Sequence, residues 1–270
     1  MNIATLCKLI NLQPSVQFRV FTFSESFDFS RVEKQLIEFR DYERMSGALE
    51  ELREVLGEDR EGMKILSCML YASACLHDVT REKGIDDAVF IDTMKCYPRF
   101  LEETRRMTGT LCFDRWWWTT RQAGGHLFRI GALEYEMKHT GGGIVIGMHI
   151  PSDADFSPAS VDASLRMAAS FFAAHYPELS GAEYRCHSWL LDPQLRGMLS
   201  ENSHILHFQK RFAIFDEGEA SDECIEWLFQ TKAKDYAALP EQTSLQRNVR
   251  QHLLSGGVIR NAYGRLKDYN

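Results

Sequence analysis

Two histidines stand at matching places in this chain. His149 lies near the carboxyl end of an apolar run, Ile144 to Ile150, and His187 near that of a second run, which closes Cys186-His187-Ser188-Trp189. An imidazole titrates near neutrality, so it can take a proton from an attacking amine or hydroxyl. Between the two runs, Ser157-Pro158 opens an amphipathic segment with Val161, Leu165, Ala168, Phe172 and Tyr176 on one stripe. Strand, helix and strand at this spacing predict a right-handed crossover between parallel strands, and ligands bind beyond the carboxyl ends of such strands. Cys186, Ser188 and Trp189 put polar and stacking groups beside His187, which ranks it first as proton acceptor with His149 its rival.

Strand alternation puts His149 on a face with Val145 and Gly147, and His187 on a face with Arg185 and Trp189. Cys186 then points away from its neighbour His187, which disfavours a thiol nucleophile activated by that imidazole. His204 and His207 fall in a segment, His204 to Phe215, that reads as a strand; three residues apart they take opposite faces, so no metal site is predicted. The crossover helix would turn its N-terminus, with open N–H groups and a positive dipole end, toward the crevice. The loop Pro151 to Ser157 leads into it; Ser152 and Ser157 are possible extra donors, while Asp153 and Asp155 would repel a phosphate unless turned away. Trp116-Trp117-Trp118 sweeps most of a helix's circumference, so at least one ring must meet solvent, another domain or a ligand. Two are assigned to packing, and Trp118 and Trp189 are the candidates to line a substrate cleft.

Around these residues, the text from Met1 to about Thr108 is helical. A helix capped by Ser30, with Glu33 completing a capping box, is followed by one carrying Met45, Leu49, Leu52 and Leu56. Arg60 to Val79 is apolar nearly all round and should be the bundle's centre; Asp86 to Met107 reads as one further helix. Near Gly109 the pattern turns strand-like, giving domains 1–109 and 110–270. Leu127 to Met137 alternates as one strand and should form an antiparallel hairpin with Ile144 to Ile150 across the Gly141-Gly142-Gly143 turn. After Trp189 come a short helix from Asp192, the His204 to Phe215 strand, helices over Ser221 to Phe229 and Ser244 to Leu254, and a last strand from Val258 to Leu266.

With 270 residues, 44% of them hydrophobic, the chain can bury a substantial core. Its net charge of -7 argues against broad binding to a nucleic-acid backbone. The acidity is uneven: Ser244 to Asn270 holds Arg247, Arg250, Arg260, Arg265 and Lys267 against Asp268 alone, a local basic end that is either solvated surface or a seat for a phosphorylated small molecule. Seven cysteines without a C-x-x-C pair, and a start unlike a secretion signal, point to reduced thiols in the cytoplasm; the most apolar segment, Ile65 to Leu76, is too short to span a bilayer.

Phe113-Asp114-Arg115-Trp116-Trp117-Trp118-Thr119-Thr120-Arg121-Gln122, Leu127 to Glu136, His149-Ile150-Pro151, and Cys186-His187-Ser188-Trp189-Leu190-Leu191-Asp192-Pro193-Gln194-Leu195 resemble bacterial acyltransferase-domain proteins with a helical N-terminal half and a GNAT-like C-terminal half. The resemblance implies an α+β fold, a helical bundle followed by a GNAT-like mixed sheet flanked by helices. It implies acyl-coenzyme A as co-substrate and a small-molecule amine or hydroxyl acceptor; beside it stand the expectations of no metal, no nucleic acid or membrane partner, and room for a homo-oligomer. Carried over by position, Gly147, Met148, His149 and Ile150 would face the pantetheine arm, and the segment from Ser152 through Ser157 to Ser160 the pyrophosphate. Arg247 and Arg250 would reach the nucleotide's phosphates, His187 or His149 would act as base, and Tyr263 would protonate the departing thiolate. The family's usual glutamine or arginine, then glycine-x-glycine, loop is absent here. A GNAT-shaped binding module and an acyl hydrolase are the competing readings.

Overall fold

Apolar residues at three- and four-residue spacing wind the first part of the chain into α1 (Ile3–Leu9), α2 (Pro14–Ser26), α3 (Glu33–Glu38), α4 (Met45–Leu56), α5 (Met63–Glu82), α6 (Asp87–Met94), α7 (Cys96–Thr108) and α8 (Trp116–Gly124), and the short strand β1 (Leu127–Ile130) follows. The coordinates are a computed structural model that describes residues 1–267. These elements make one compact unit, Met1–Ile130, so α8 and β1 follow the expected boundary at Gly109 within that unit. The apolar α5 is buried along most of its length, with the Tyr97 hydroxyl 2.8 Å from Ser73 Oγ at its centre.

Two helix expectations change. Asp86 to Met107 is two helices, because Pro98 has no N–H to give the Met94 carbonyl and its ring crowds that oxygen; the break falls at Lys95. Ser30 is not a cap: its own N–H donates to the Asp28 carboxylate at 3.0 Å, and a 3-10 turn over Phe29–Val32 precedes α3. A charged acceptor two residues upstream outcompetes a hydroxyl for backbone donors.

The second unit, Gly131–Asn270, holds β2 (Leu133–Thr140), β3 (Gly143–His149), α9 (Pro158–His175), β4 (Tyr184–Ser188), α10 (His204–Gln209), β5 (Phe212–Asp216), α11 (Glu223–Phe229), α12 (Ser244–Leu254) and β6 (Ala262–Leu266). Within it the strand order is β2-β3-β4-β6-β5. β2 and β3 pair antiparallel from Thr140 opposite Gly143 to Glu134 opposite His149, β3 and β4 run parallel, and β6 is antiparallel to both β4 and β5. The α+β architecture, the hairpin and the parallel crossover are as the sequence predicts.

Other strand limits move. Leu127 to Met137 is two strands, since Gly131, at φ 63°, turns the chain where a Cβ would sit 3.2 Å from that of Ser164. The expected strand over His204 to Phe215 begins as helix α10, whose first turn is capped by Ser203 accepting from Ile205 N, so the premise that separated His204 from His207 fails. Among the described residues no three His, Cys, Asp or Glu side chains gather as a metal site. The last strand starts only at Ala262, and Trp189 lies beyond the end of β4 in a 3-10 turn. Asp268, the one acid of the basic end, lies outside the described residues.

Candidate active site

The sheet of the second unit has two unlike faces. Tyr135, Cys186 and Tyr184 point toward α9: the Tyr135 hydroxyl lies 3.0 Å from Ser164 Oγ, and the Phe172 ring sits 6.5 and 6.3 Å from those of Tyr135 and Tyr184. The register assigns the opposite face to Glu134, Glu136 and Lys138 of β2, Val145, Gly147 and His149 of β3, Arg185 and His187 of β4, and Tyr263 of β6. Both candidate imidazoles therefore share the polar face.

They also share one end of it. The parallel ladder of β3 and β4 runs from Ile146 opposite Tyr184 to Met148 opposite Cys186, and His149 and His187 are the next residues on each strand. Alignment of these residues follows from two neighbouring pairings, β2 with β3 and β4 with β6, because each strand is held from its far side as well.

His149 Nε2 lies 2.8 Å from the Glu136 carboxylate, whose side chain is 2% exposed. The partner is diagonal, two positions from the residue directly opposite, and Gly147 lies beside the contact, where an added Cβ would meet both side chains at ordinary van der Waals distance, 3.5 Å from His149 Nε2 and 3.6 Å from Glu136 Cβ. The exposed His187 ring stacks on Tyr263, with centroids 3.8 Å apart and planes 12° from parallel. Partial burial, then Lys138 and His149, push the His187 pKa below its ordinary value against the opposing pull of an Asn261 backbone hydrogen bond and Asp216. The net shift favours the neutral ring, the form able to accept a proton.

β5 adds to the same face. A register shift between Ile214 and Asp216 sets Asp216 against Tyr263, and the exposed Phe215 ring lies 6.1 Å from the Tyr263 ring. Glu183 pairs with Arg185 at 2.5 Å and Arg265 at 3.1 Å. Asp192 secures the turn after β4: its buried carboxylate accepts from Gln194 N at 2.9 Å and Arg260 N at 2.7 Å. Cys186 is buried on the α9 face, and burial pushes its thiol up to about 12, which removes it as a nucleophile.

Several sequence candidates take other positions. Met148 is buried on the α9 face, and Trp189 is a core residue, 7% exposed, packed with Leu195, Cys224 and Val249. Trp118 packs against the helical core of the first unit with the Arg121 guanidinium 4.5 Å from its ring, while Trp117 is the exposed one of the three. Arg250 donates to the Tyr236 and Ala237 carbonyls and pairs with Glu241, and Arg247 donates to the Glu241 carbonyl, so both hold the segment leading into α12. At the start of α9, Ser157 caps by accepting from Ser160 N, and Asp155 accepts from Ser157 N and Oγ at 3.0 and 3.1 Å. Those bonds, the Ser157 backbone first, hold the Asp155 carboxyl below its usual range, so an acid fills this turn at neutral pH. Ser152 is exposed, and Ile150 is half-buried just past β3.

Glu136, Lys138 and Asp216 were missed as site residues. Glu136 was findable: counting back from the triple-glycine turn puts it diagonal to His149, and a carboxylate flanked by Tyr135 and Met137 in a strand calls for a partner.

The family described as the GNAT-like C-terminal domain matches residues 127–266, and the N-acyltransferase N-terminal domain matches 1–125. The chain belongs to the family defined by that GNAT-like C-terminal domain. No curated protein matches it. Among solved structures it is similar to an acyltransferase in complex with decanoyl-CoA and teicoplanin, at 23% identity and TM-score 0.81 over 98% of this chain and 87% of that one. It is likewise similar to an acyltransferase in complex with CoA and 10C-teicoplanin, at 22% identity and TM-score 0.72 over 99% of both chains. At these identities the likeness is one of fold.

Proposed function

We propose that this protein is an acyltransferase that moves an acyl group from acyl-coenzyme A to the amine or hydroxyl of a small-molecule acceptor by direct attack. The observation that carries this reading is the pair of imidazoles just beyond the last pair of the parallel ladder, on the sheet face opposite α9. Neighbours of the same fold bound to decanoyl-CoA or CoA support the choice of co-substrate. The seven cysteines are unpaired with one another, and among the described residues no helix is long and apolar enough to cross a membrane; the thiols suit a reducing cytoplasm.

The residues suit the thioester end of such a co-substrate. Ile150, just beyond both ladders, would offer its backbone groups to the pantetheine arm, which brings an activated acyl carbon to the site, whereas Gly147 and His149 are paired with Glu136 and Glu134 of β2. Met148 lies between Tyr135 and Cys186 in the two ladders and its side chain is buried, so it offers the arm neither backbone nor side chain. The phosphates would lie against Ser152, Ser157 and Ser160 from outside a turn that Asp155 already closes.

His187 takes the proton of the acceptor nucleophile as its bond to the acyl carbon forms. The Tyr263 phenol, stacked on that imidazole, is the candidate donor to the departing sulfur. The N–H groups and imidazoles at the ladder's end hold both partners in attack geometry, which supplies much of the acceleration.

The test measures thiol release from acetyl- and decanoyl-coenzyme A with and without an amine. Release only with the amine supports transfer; release without acceptor supports hydrolysis, and binding without release supports a sensor. His187→Ala should cut transfer by about 100-fold or more, the usual share of a general base. Transfer within twofold of the unaltered protein would remove His187 from that role.

A further inference from the structure

We propose that Glu136 is a positioning residue for acyl transfer, a role that rests on the functional reading above. A carboxylate as buried as this one is costly to desolvate unless it is bonded, so its place on β2 calls for a partner. His149 Nε2 is one such partner, at 2.8 Å. An ionised carboxylate only accepts, so the neutral imidazole must carry its proton on Nε2 and keep its lone pair on Nδ1. Glu134, directly opposite His149 in the register, and Lys138 are the other charges β2 presents on this face.

A fixed tautomer gives the site two imidazoles with separate duties. An amine that arrives as ammonium sheds two protons before it is an amide. His149 takes the first, yielding the neutral amine; His187 takes the second as the C–N bond forms and the C–S bond breaks. One proton goes to the departing thiolate and the other to solvent, so the sum is ammonium plus thioester giving amide, thiol and one proton. An acceptor already neutral needs only His187.

The proposal is tested with Glu136→Gln, whose amide can donate to His149 and favour the opposite tautomer, and with Glu136→Asp, which keeps the charge. Acceptors are butylamine, an ammonium ion at neutral pH, and hydroxylamine, largely uncharged there. Glu136→Gln should lose about 100-fold in kcat with butylamine and no more than about threefold with hydroxylamine, at an unchanged KM for acetyl-coenzyme A, and Glu136→Asp should fall between. Imidazole nitrogen NMR should find the His149 proton on Nε2 in the unaltered protein and displaced in Glu136→Gln. Equal losses with both amines, or a proton on Nδ1 in the unaltered protein, would overturn the proposal while leaving transfer intact. Should Glu136→Gln fail to fold, the Glu136→Asp ratio between the two amines and the native nitrogen spectrum decide it. Absence of transfer to either amine by the unaltered protein would overturn the functional reading and the catalytic duty of Glu136 with it.

Discussion

The base role proposed for His187 requires its neutral form at working pH, and its surroundings favour that form. Partial burial is the largest cause, and Lys138, on the same face, adds repulsion against the imidazolium. The sign is fixed: protonated His187 cannot accept a proton, so kcat/KM for transfer should rise with pH through the His187 pKa and level off below the pH where an ordinary histidine would. Lys138→Gln removes a nearby cation, eases protonation and should move that acid limb to higher pH, with little change in thermal stability because Lys138 is exposed. A limb that stays put or moves down would show that Lys138 does not act on the base. At the same scale Cys186 is a contrast. One residue away in sequence, it faces α9 instead, and burial leaves it scarcely any thiolate, so polar-face chemistry and core packing are separated by strand alternation alone.

What holds those residues in line is the sheet, and what holds the sheet is α9. Phe172, 4% exposed, meets the rings of Tyr135, Tyr184 and Tyr176, three elements fastened by one side chain. Phe172→Ala should cost about 3–5 kcal/mol, a large share of the usual folding margin, and denaturant unfolding would show it as a lower midpoint. A loss under about 1 kcal/mol would mean that the ring does not anchor the sheet. The sequence made this layer legible: the stripe from Val161 to Tyr176 has a helix's period, and Ile144 to Ile150 and the run into His187 have a strand's. Both histidines followed, because their positions depend on period and direction only. Two kinds of feature stayed hidden. Where a segment mixes strand-like residues with a strong local acceptor, as Ser203 supplies before His204, capping wins and a helix forms. The Glu136 contact depends on cross-strand register, which is set by a turn several residues away and is invisible to a reading along one strand. Strand alternation continued past Ser188 points Trp189 at a cleft, but β4 ends at Ser188 and the 3-10 turn that follows carries the ring into the core.

The whole chain carries -7, and its one basic stretch is already spent on internal contacts. Arg247, Arg250, Arg260, Arg265 and Lys267 donate to the Glu241 carbonyl, the Tyr236 carbonyl, the Gly218 carbonyl, the Glu183 carboxylate and the Lys210 carbonyl in turn. Asp155 adds a negative charge at the turn where phosphates are proposed to lie. A highly anionic co-substrate would therefore approach against the field, and its binding energy would come from backbone hydrogen bonds and the acyl chain, which salt hardly touches. Coenzyme A affinity should then stay level or improve as ionic strength rises, opposite to a protein with a basic phosphate cradle, and Asp155→Asn should tighten it by about two- to fivefold at low salt, the worth of one surface charge. Calorimetric titration at two ionic strengths measures both. A steep loss of affinity with salt, joined to a loss on Arg247→Ala or Arg250→Ala, would instead put the phosphates on the basic end and away from the start of α9.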